Sequence, residues 1–220
     1  MLVQEILNID IAPLKTTDSV AFALTKLDLF HATKFPVVDN GKLLGMISLE
    51  TLIEVRNDQV LIQEVPLDES IFLPNDQHLF EATRKMLSHE LFILPVVDSE
   101  KNFLGVIKKR DVLEALSDLF NLESFGSVLI VEMTPYDFTL SELIRIIETE
   151  DAKILGVAVQ KPNEHNDFYR ISVKLNIEDS SNVSSALNRY GYVVTSQVSS
   201  ATMEKDFSDR ADELIRYLDI

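Results

Sequence analysis

The chain has 220 residues, 46% of them hydrophobic and 25% charged, with a net charge of −16 and no cysteine. That balance suits a folded protein of one large or two ordinary domains and excludes disulfides and thiolate chemistry. It also lacks the basic stripe that a phosphate backbone requires, the only basic cluster being Lys108-Lys109-Arg110.

No apolar run approaches the roughly 20 residues needed to cross a bilayer. The first twenty residues carry no basic start followed by an apolar core, which argues against a secretory leader. The expectation is a cytoplasmic protein with neither nucleic acid nor membrane as partner, its acidity serving solubility.

In chain order, Leu2 to Leu7 is a short apolar start and Ile11 to Lys15 a short extended piece broken by Pro13. Thr16 to Ser19 offers several helix N-caps, and Val20, Ala23, Leu24 and Leu27 then recur at helical spacing to about Phe30. Phe35 to Val38 reads as a buried strand, with Pro36 near its start where a missing amide matters least. Asn40-Gly41 reads as a hairpin turn, because both residues tolerate positive φ. Leu43 to Ile47 returns as a strand, and a second helix runs from Ser48 or Leu49 to about Val55.

The chain then repeats itself. Phe35-Pro-Val-Val-Asp39, a polar turn and Leu44-Gly-Met-Ile47 answer to Leu94-Pro-Val-Val-Asp98, a polar turn and Leu104-Gly-Val-Ile107, at a spacing of about 59 positions. In the second copy Asn75-Asp76 is the expected cap of a helix from about Gln77 to Ser88. Strands at Ile93–Val97 and Phe103–Ile107 and a helix from about Arg110 to Leu119 follow. Each copy is thus βαββα.

The doubled Pro-Val-Val-Asp, turn, Leu-Gly-x-Ile, helix pattern resembles the paired CBS domains of a Bateman module. The resemblance covers residues 1 to about 120.

Beyond a polar hinge at Asn121 to Gly126, the pattern changes. Ser127–Met133 reads as a strand. Thr139-x-x-Glu142 matches a capping box, opening a helix with Leu140, Leu143, Ile144 and Ile147 on its buried stripe. Strands at Ile154–Val159 and Phe168–Leu175 follow, then a helix carrying Val183, Ala186, Leu187 and Tyr190 that stops at Gly191. A last strand runs from Tyr192 to Val198. The order βαββαβ is the ferredoxin-like plan and looks like an ACT-type domain. Phe207, Ala211, Leu214, Ile215 and Leu218 then keep helical spacing; that stripe needs a partner surface, on its own chain or on a second subunit.

The fold class expected is therefore α+β: a tandem CBS pair followed by a ferredoxin-like ACT-type domain and a C-terminal helix. The boundaries expected are 1–58 for the first repeat, 59–122 for the second, 127–200 for the ACT-like domain and 201–220 for the amphipathic helix. CBS pairs followed by an ACT-like domain resemble acetoin-utilisation accessory proteins in domain order, which carries no substrate information.

The CBS resemblance implies an adenosyl ligand, AMP, ADP, ATP or S-adenosylmethionine, held in a cleft between the copies. The family pattern after the last strand is Gly-x-Ile-(Ser/Thr)-x-x-Asp, in which the aspartate accepts from ribose hydroxyls and the hydroxyl residue meets phosphate. The first copy keeps Ser48 but has Thr51 where the aspartate belongs. The second keeps Asp111 but has Lys108 at the hydroxyl position. The candidate cleft is Phe35, Pro36, Val37, Ile47, Ser48, Thr51, Pro95, Ile107, Lys108 and Asp111. At the ACT-type strand–helix junction, Pro135 to Thr139 lacks the family's glycine, and Tyr136 and Phe138 would crowd an amino-acid carboxylate.

His31, His78, His89 and His165 lack the close spacing of a helical metal pair, and surface or helix-end positions account for them. No Ser-His-Asp order, phosphate loop or paired carboxylates in an apolar pocket can be read. The chain is expected to be no enzyme but a regulatory or sensor module, forming a homodimer. The alternatives are a scaffold that recruits another protein without a ligand, and a regulatory subunit of a target enzyme.

Overall fold

The same local chemistry starts a helix in each half of the repeat, with one change of residue. A computed structural model of the chain describes residues 1–199; the expected C-terminal helix lies outside them. The described chain falls into two compact units, divided between Leu116 and Ser117.

In the first unit β1 (Leu14–Lys15) leads into α1 (Val20–Leu29), capped by Ser19, whose Oγ accepts from the Phe22 amide at 3.2 Å. The hairpin β2 (Lys34–Asp39) and β3 (Lys42–Ser48) follows, then α2 (Leu49–Ile53). Asn40 and Gly41 both take positive φ, 47° and 78°, as a tight hairpin turn requires.

The second copy is β4 (Leu73–Pro74), α3 (Leu79–Ser88), β5 (Ile93–Val97), β6 (Phe103–Lys108) and α4 (Lys109–Leu119). The cap of α3 is not Asn75 or Asp76. It is His78, whose Nδ1 accepts from the Phe80 amide at 3.2 Å while its ring meets Phe80 edge-on. His78 stands where the first copy has Ser19, so the helix starts two residues later than the asparagine and aspartate suggested.

Each copy forms a three-stranded sheet, ordered β1-β2-β3 and β4-β5-β6, with the short first strand parallel to the second. The copies exchange their leading segments. The 3₁₀ turn Val3–Ile6 caps the second copy: the Val3 amide donates to Gln77 O at 2.9 Å and the Leu79 amide to Met1 O at 3.2 Å. The 3₁₀ turn Ile62–Glu64 does the same for the first copy, with the Ile62 amide donating to Asp18 O at 2.9 Å and the Val20 amide to Val60 O at 2.9 Å. Just beyond each turn the chain bridges to a strand: Asn8 pairs with Val106, and Asp68 with Met46.

The cores interlock in the same way. Ile93 and Val106 of the second copy join the cluster around Leu14, Phe35 and Ile47. Val3 and Met46 join the cluster around Leu79, Leu94 and Ile107. Burying each such side chain contributes about 1.5–3 kcal/mol, so neither copy has a complete core alone. The two hairpin tips also meet: the Phe103 amide donates to Gly41 O at 2.8 Å and Lys42 Nζ to Glu100 O at 2.9 Å.

The second unit carries β7 (Ser127–Met133), α5 (Leu140–Thr149), β8 (Ile154–Gln160), β9 (Tyr169–Leu175), α6 (Ser181–Arg189) and β10 (Val193–Ser199). Its sheet is antiparallel in the order β10-β7-β9-β8, the ferredoxin-like arrangement, which fits an ACT-like domain. Leu129, Val131 and Met133 alternate inward onto Leu143, Ile147, Val183 and Leu187. The capping box expected at Thr139 does not form. Thr139 Oγ1 turns to Ser141 Oγ at 3.1 Å, and Glu142 instead faces the Tyr192 hydroxyl at 3.4 Å and Arg145 at 3.9 Å.

Candidate functional site: the groove between the repeats

Two junctions at the end of the second hairpin strand set the geometry. In the first copy Ser48 ends β3 and caps α2: its Oγ accepts from the Thr51 amide at 3.2 Å and lies 2.8 Å from Thr51 Oγ1. In the second copy Lys108 ends β6, Asp111 Oδ2 accepts from the Lys108 amide at 3.4 Å, and Lys108 Nζ lies 3.1 Å from Asp111 Oδ1. Each is one half of a reciprocal capping box, the side chain reaching forward in one copy and back in the other.

The first junction opens on a groove of about 540 Å³ between the copies. Thr33, Lys34, Ser48, Leu49 and Glu50 form the first copy's wall, and Ser88, His89, Glu90 and Phe92 the second's. The second wall exists because α3 ends at Ser88, with His89 as its C-cap, and the chain reverses through Glu90, which takes a φ of 53°. That reversal presents Phe92, 42% exposed, with Lys109 Nζ 5.1 Å above its ring. Lys34 Nζ stands 3.9 Å from Asp68 Oδ2, an oxygen shielded from water and without a hydrogen-bond donor. The separation is too long for a hydrogen bond, so the lysine is held near the groove rather than locked in place.

The candidate residues divide into two groups. Ser48 lines the groove, Thr51 is bonded to it, and Lys108 and Asp111 are bonded to each other. Phe35, Val37, Ile47 and Ile107 are fully buried in the cores, and Pro36 and Pro95 are buried in the strands opposite Met46 and Val106. Sequence reasoning missed Lys34, Glu50 and the Ser88–Phe92 wall. The motif directs attention to the last strand–helix junction, whereas half of the groove comes from the preceding helix–strand turn of the other copy. The available signal was the 59-residue period, which aligns His31 with Glu90, both at positive φ.

Among the described residues no group of three or more His, Cys, Asp or Glu could hold a metal ion, and no helix is long and apolar enough to cross a membrane.

The CBS domain family model matches residues 3–58 and 62–118, just over half of the chain. The chain belongs to the CBS domain family, as a tandem pair. Among curated proteins it is 33% identical over 86 residues to the uncharacterized protein MJ1232 of Methanocaldococcus jannaschii, covering 39% of this chain and 29% of that protein. It is 27% identical over 132 residues to the CBS domain-containing protein YhcV of Bacillus subtilis, covering 58% of this chain and 91% of that one. The chain spans less than a third of the length of the first curated relatives it matches. Among solved structures, a CBS domain pair/ACT domain protein from Thermotoga maritima is 25% identical, with a TM-score of 0.47, covering 54% of this chain and 98% of that one.

Proposed function

We propose that this chain is a non-catalytic regulatory module of the cytoplasm, binding an adenosyl nucleotide in the groove between its repeats and signalling through the arrangement of a homodimer. One observation carries the reading: the groove gathers a lysine, a histidine, two serines and an exposed aromatic ring from two copies that share a core. Lys34 and His89 suit phosphate, Ser48 and Glu50 suit ribose hydroxyls, and Phe92 suits the face of a base. Thr51 holds Ser48 in place, while the buried Phe35, Pro36, Val37, Ile47, Pro95 and Ile107 fix the walls. Lys108 and Asp111 would open from each other to admit a second nucleotide.

A ligand preferring one arrangement of the copies shifts its population, and that shift is the signal. Isothermal titration with AMP, ADP, ATP and S-adenosylmethionine tests this. Saturable heat with at least one of them, lost in Lys34→Glu, is expected; flat titrations with all four overturn the reading.

A second reading, a scaffold or subunit that recruits a protein without a ligand, draws on the apolar helix faces. Leu87 and Leu113 are 62% and 68% exposed and flank an apolar hollow that also includes Phe92. Flat titrations together with co-purification of a target protein would favour it. Light scattering giving twice the chain mass is the result expected from the homodimer.

A further inference from the structure

The ferredoxin-like unit holds a hollow that the groove function leaves unused. It encloses about 620 Å³ where the ends of β7 and β10 meet the loop before α5, a size within the roughly 300–1,000 Å³ of small-molecule sites.

Its chemistry is one-sided. Glu132, Asp137 and Glu142 supply carboxylates, and among the described residues no lysine or arginine lines it. Arg170 pairs with Glu132 at 2.9 Å, and Arg145 stands 3.9 Å from Glu142. Asp137 accepts from the Thr134 hydroxyl at 2.7 Å, which fixes the loop that carries it. With Glu132 and Glu142 each faced by an arginine, Asp137 is the carboxylate of the hollow without a cationic partner among the described residues. The Tyr192 phenol is held above its ordinary pKa by burial first and then by the Glu142 charge, with Arg145 opposing.

The rest of the wall is aromatic. Tyr136 is 100% exposed, Tyr190 58% and Phe168 42%, three rings around one opening. The Arg145 guanidinium stands 6.0 Å from the Tyr190 ring, which leaves Tyr136 and Phe168 as the two without a cation of the chain itself among the described residues. Phe138 is stacked on Tyr169 at 4.2 Å and holds the base of the wall in place. Exposed apolar surface gathered in one place marks a binding site. Ring faces are negative, so they act in the same sense as the carboxylates and favour a cation with little water to lose. A bare metal ion fits poorly, because these carboxylates do not converge into a metal-holding group. A ligand presenting a carboxylate or phosphate would be repelled.

We propose that this hollow binds a small organic cation whose nitrogen carries methyl or methylene groups.

The chain has five tyrosines and no tryptophan, so its intrinsic emission reports on tyrosine, and three of the five line the hollow. The full chain is titrated with choline and with tetramethylammonium. The controls are potassium chloride at matched ionic strength and 3,3-dimethylbutan-1-ol, the uncharged shape analogue of choline. The ammonium ligands should give a saturable change, with the uncharged analogue about tenfold weaker or worse. Tyr136→Ala, a fully exposed position, and Glu142→Gln should each weaken choline binding by about tenfold while circular dichroism stays unchanged. A non-saturating response, equal binding of the uncharged analogue, or wild-type affinity in both variants overturns the proposal.

Discussion

The two repeats use the same backbone and different side chains at the same junction. Ser48 and Thr51 make a neutral hydroxyl pair; Lys108 and Asp111 make an ion pair of like geometry. The requirement that survives duplication is local: the first turn of each helix has unpaired amides, and any acceptor at either end of the capping box can satisfy one. Charge is then free to differ between the copies. The hairpins differ in the same way. The first turns tightly on Asn40-Gly41, while the second is a longer loop knit by Asp98, whose carboxylate accepts from the Asn102 amide and side chain and from the Glu100 amide.

The comparison breaks most sharply at the seam. Met46 belongs to the first copy by sequence and to the second by packing, so Met46→Ala should destabilise the whole pair by about 2–5 kcal/mol, as a single cooperative loss in urea unfolding. Two separate transitions, with only one shifted, would show that the copies fold apart.

The motif glycines come next. A side chain at Gly105 would meet the Asn8 carbonyl oxygen at 2.6 Å and would have to hold a φ of 155°, whereas at Gly45 it would meet the Asp68 carbonyl oxygen at 2.8 Å without that φ. Gly105→Ala should therefore cost about 2–4 kcal/mol and Gly45→Ala about 1–2 kcal/mol, measured by the same denaturation. Equal costs would make the φ irrelevant.

Smaller effects separate the junctions themselves. Ser48→Ala should cost about 1 kcal/mol at any salt concentration. Asp111→Asn should cost roughly 0.5 kcal/mol, fading as salt screens the Lys108 pair.

The smallest effect is a titration. The bonds to Asp98 hold its carboxyl below the ordinary 3.8, the Asn102 side chain first among them. A depressed folded pKa means that the contribution is fully present above 3.8 and disappears as pH falls through the folded value. Amide exchange at Asn102 should accelerate there, while the Asn40-Gly41 turn stays unchanged.

Much of this was legible because the period is legible. Pro36 and Pro95, Gly45 and Gly105, and the Asn40-Gly41 turn read directly as paired hairpins, and the βαββαβ order of the second unit followed from the strands at Ser127–Met133, Ile154–Val159, Phe168–Leu175 and Tyr192–Val198 set between two helices with apolar stripes. The exchange of leading segments was not legible, since Val3 and Ile62 show an apolar face without showing whose core receives it. Nor was the role of Lys26 and Lys85, one period apart, which donate to the carbonyls of Pro13 and Phe72 at 3.1 and 2.6 Å and so tie each lead-in strand to its helix. The caps misread at Asn75-Asp76 and Thr139 share one cause: several acceptors stood within reach of each helix start, and tertiary neighbours chose among them. The groove's second wall was hidden because a turn built on a positive φ at Glu90 has no side-chain signature.

The crossed-over leaders set the order in which the molecule would come apart under load. Tension applied at the amino end pulls first on Val3, which is anchored in the later half of the pair, so that half should peel away while the earlier one still holds Ile62. A tether fixed to the front of the chain would therefore loosen the rear.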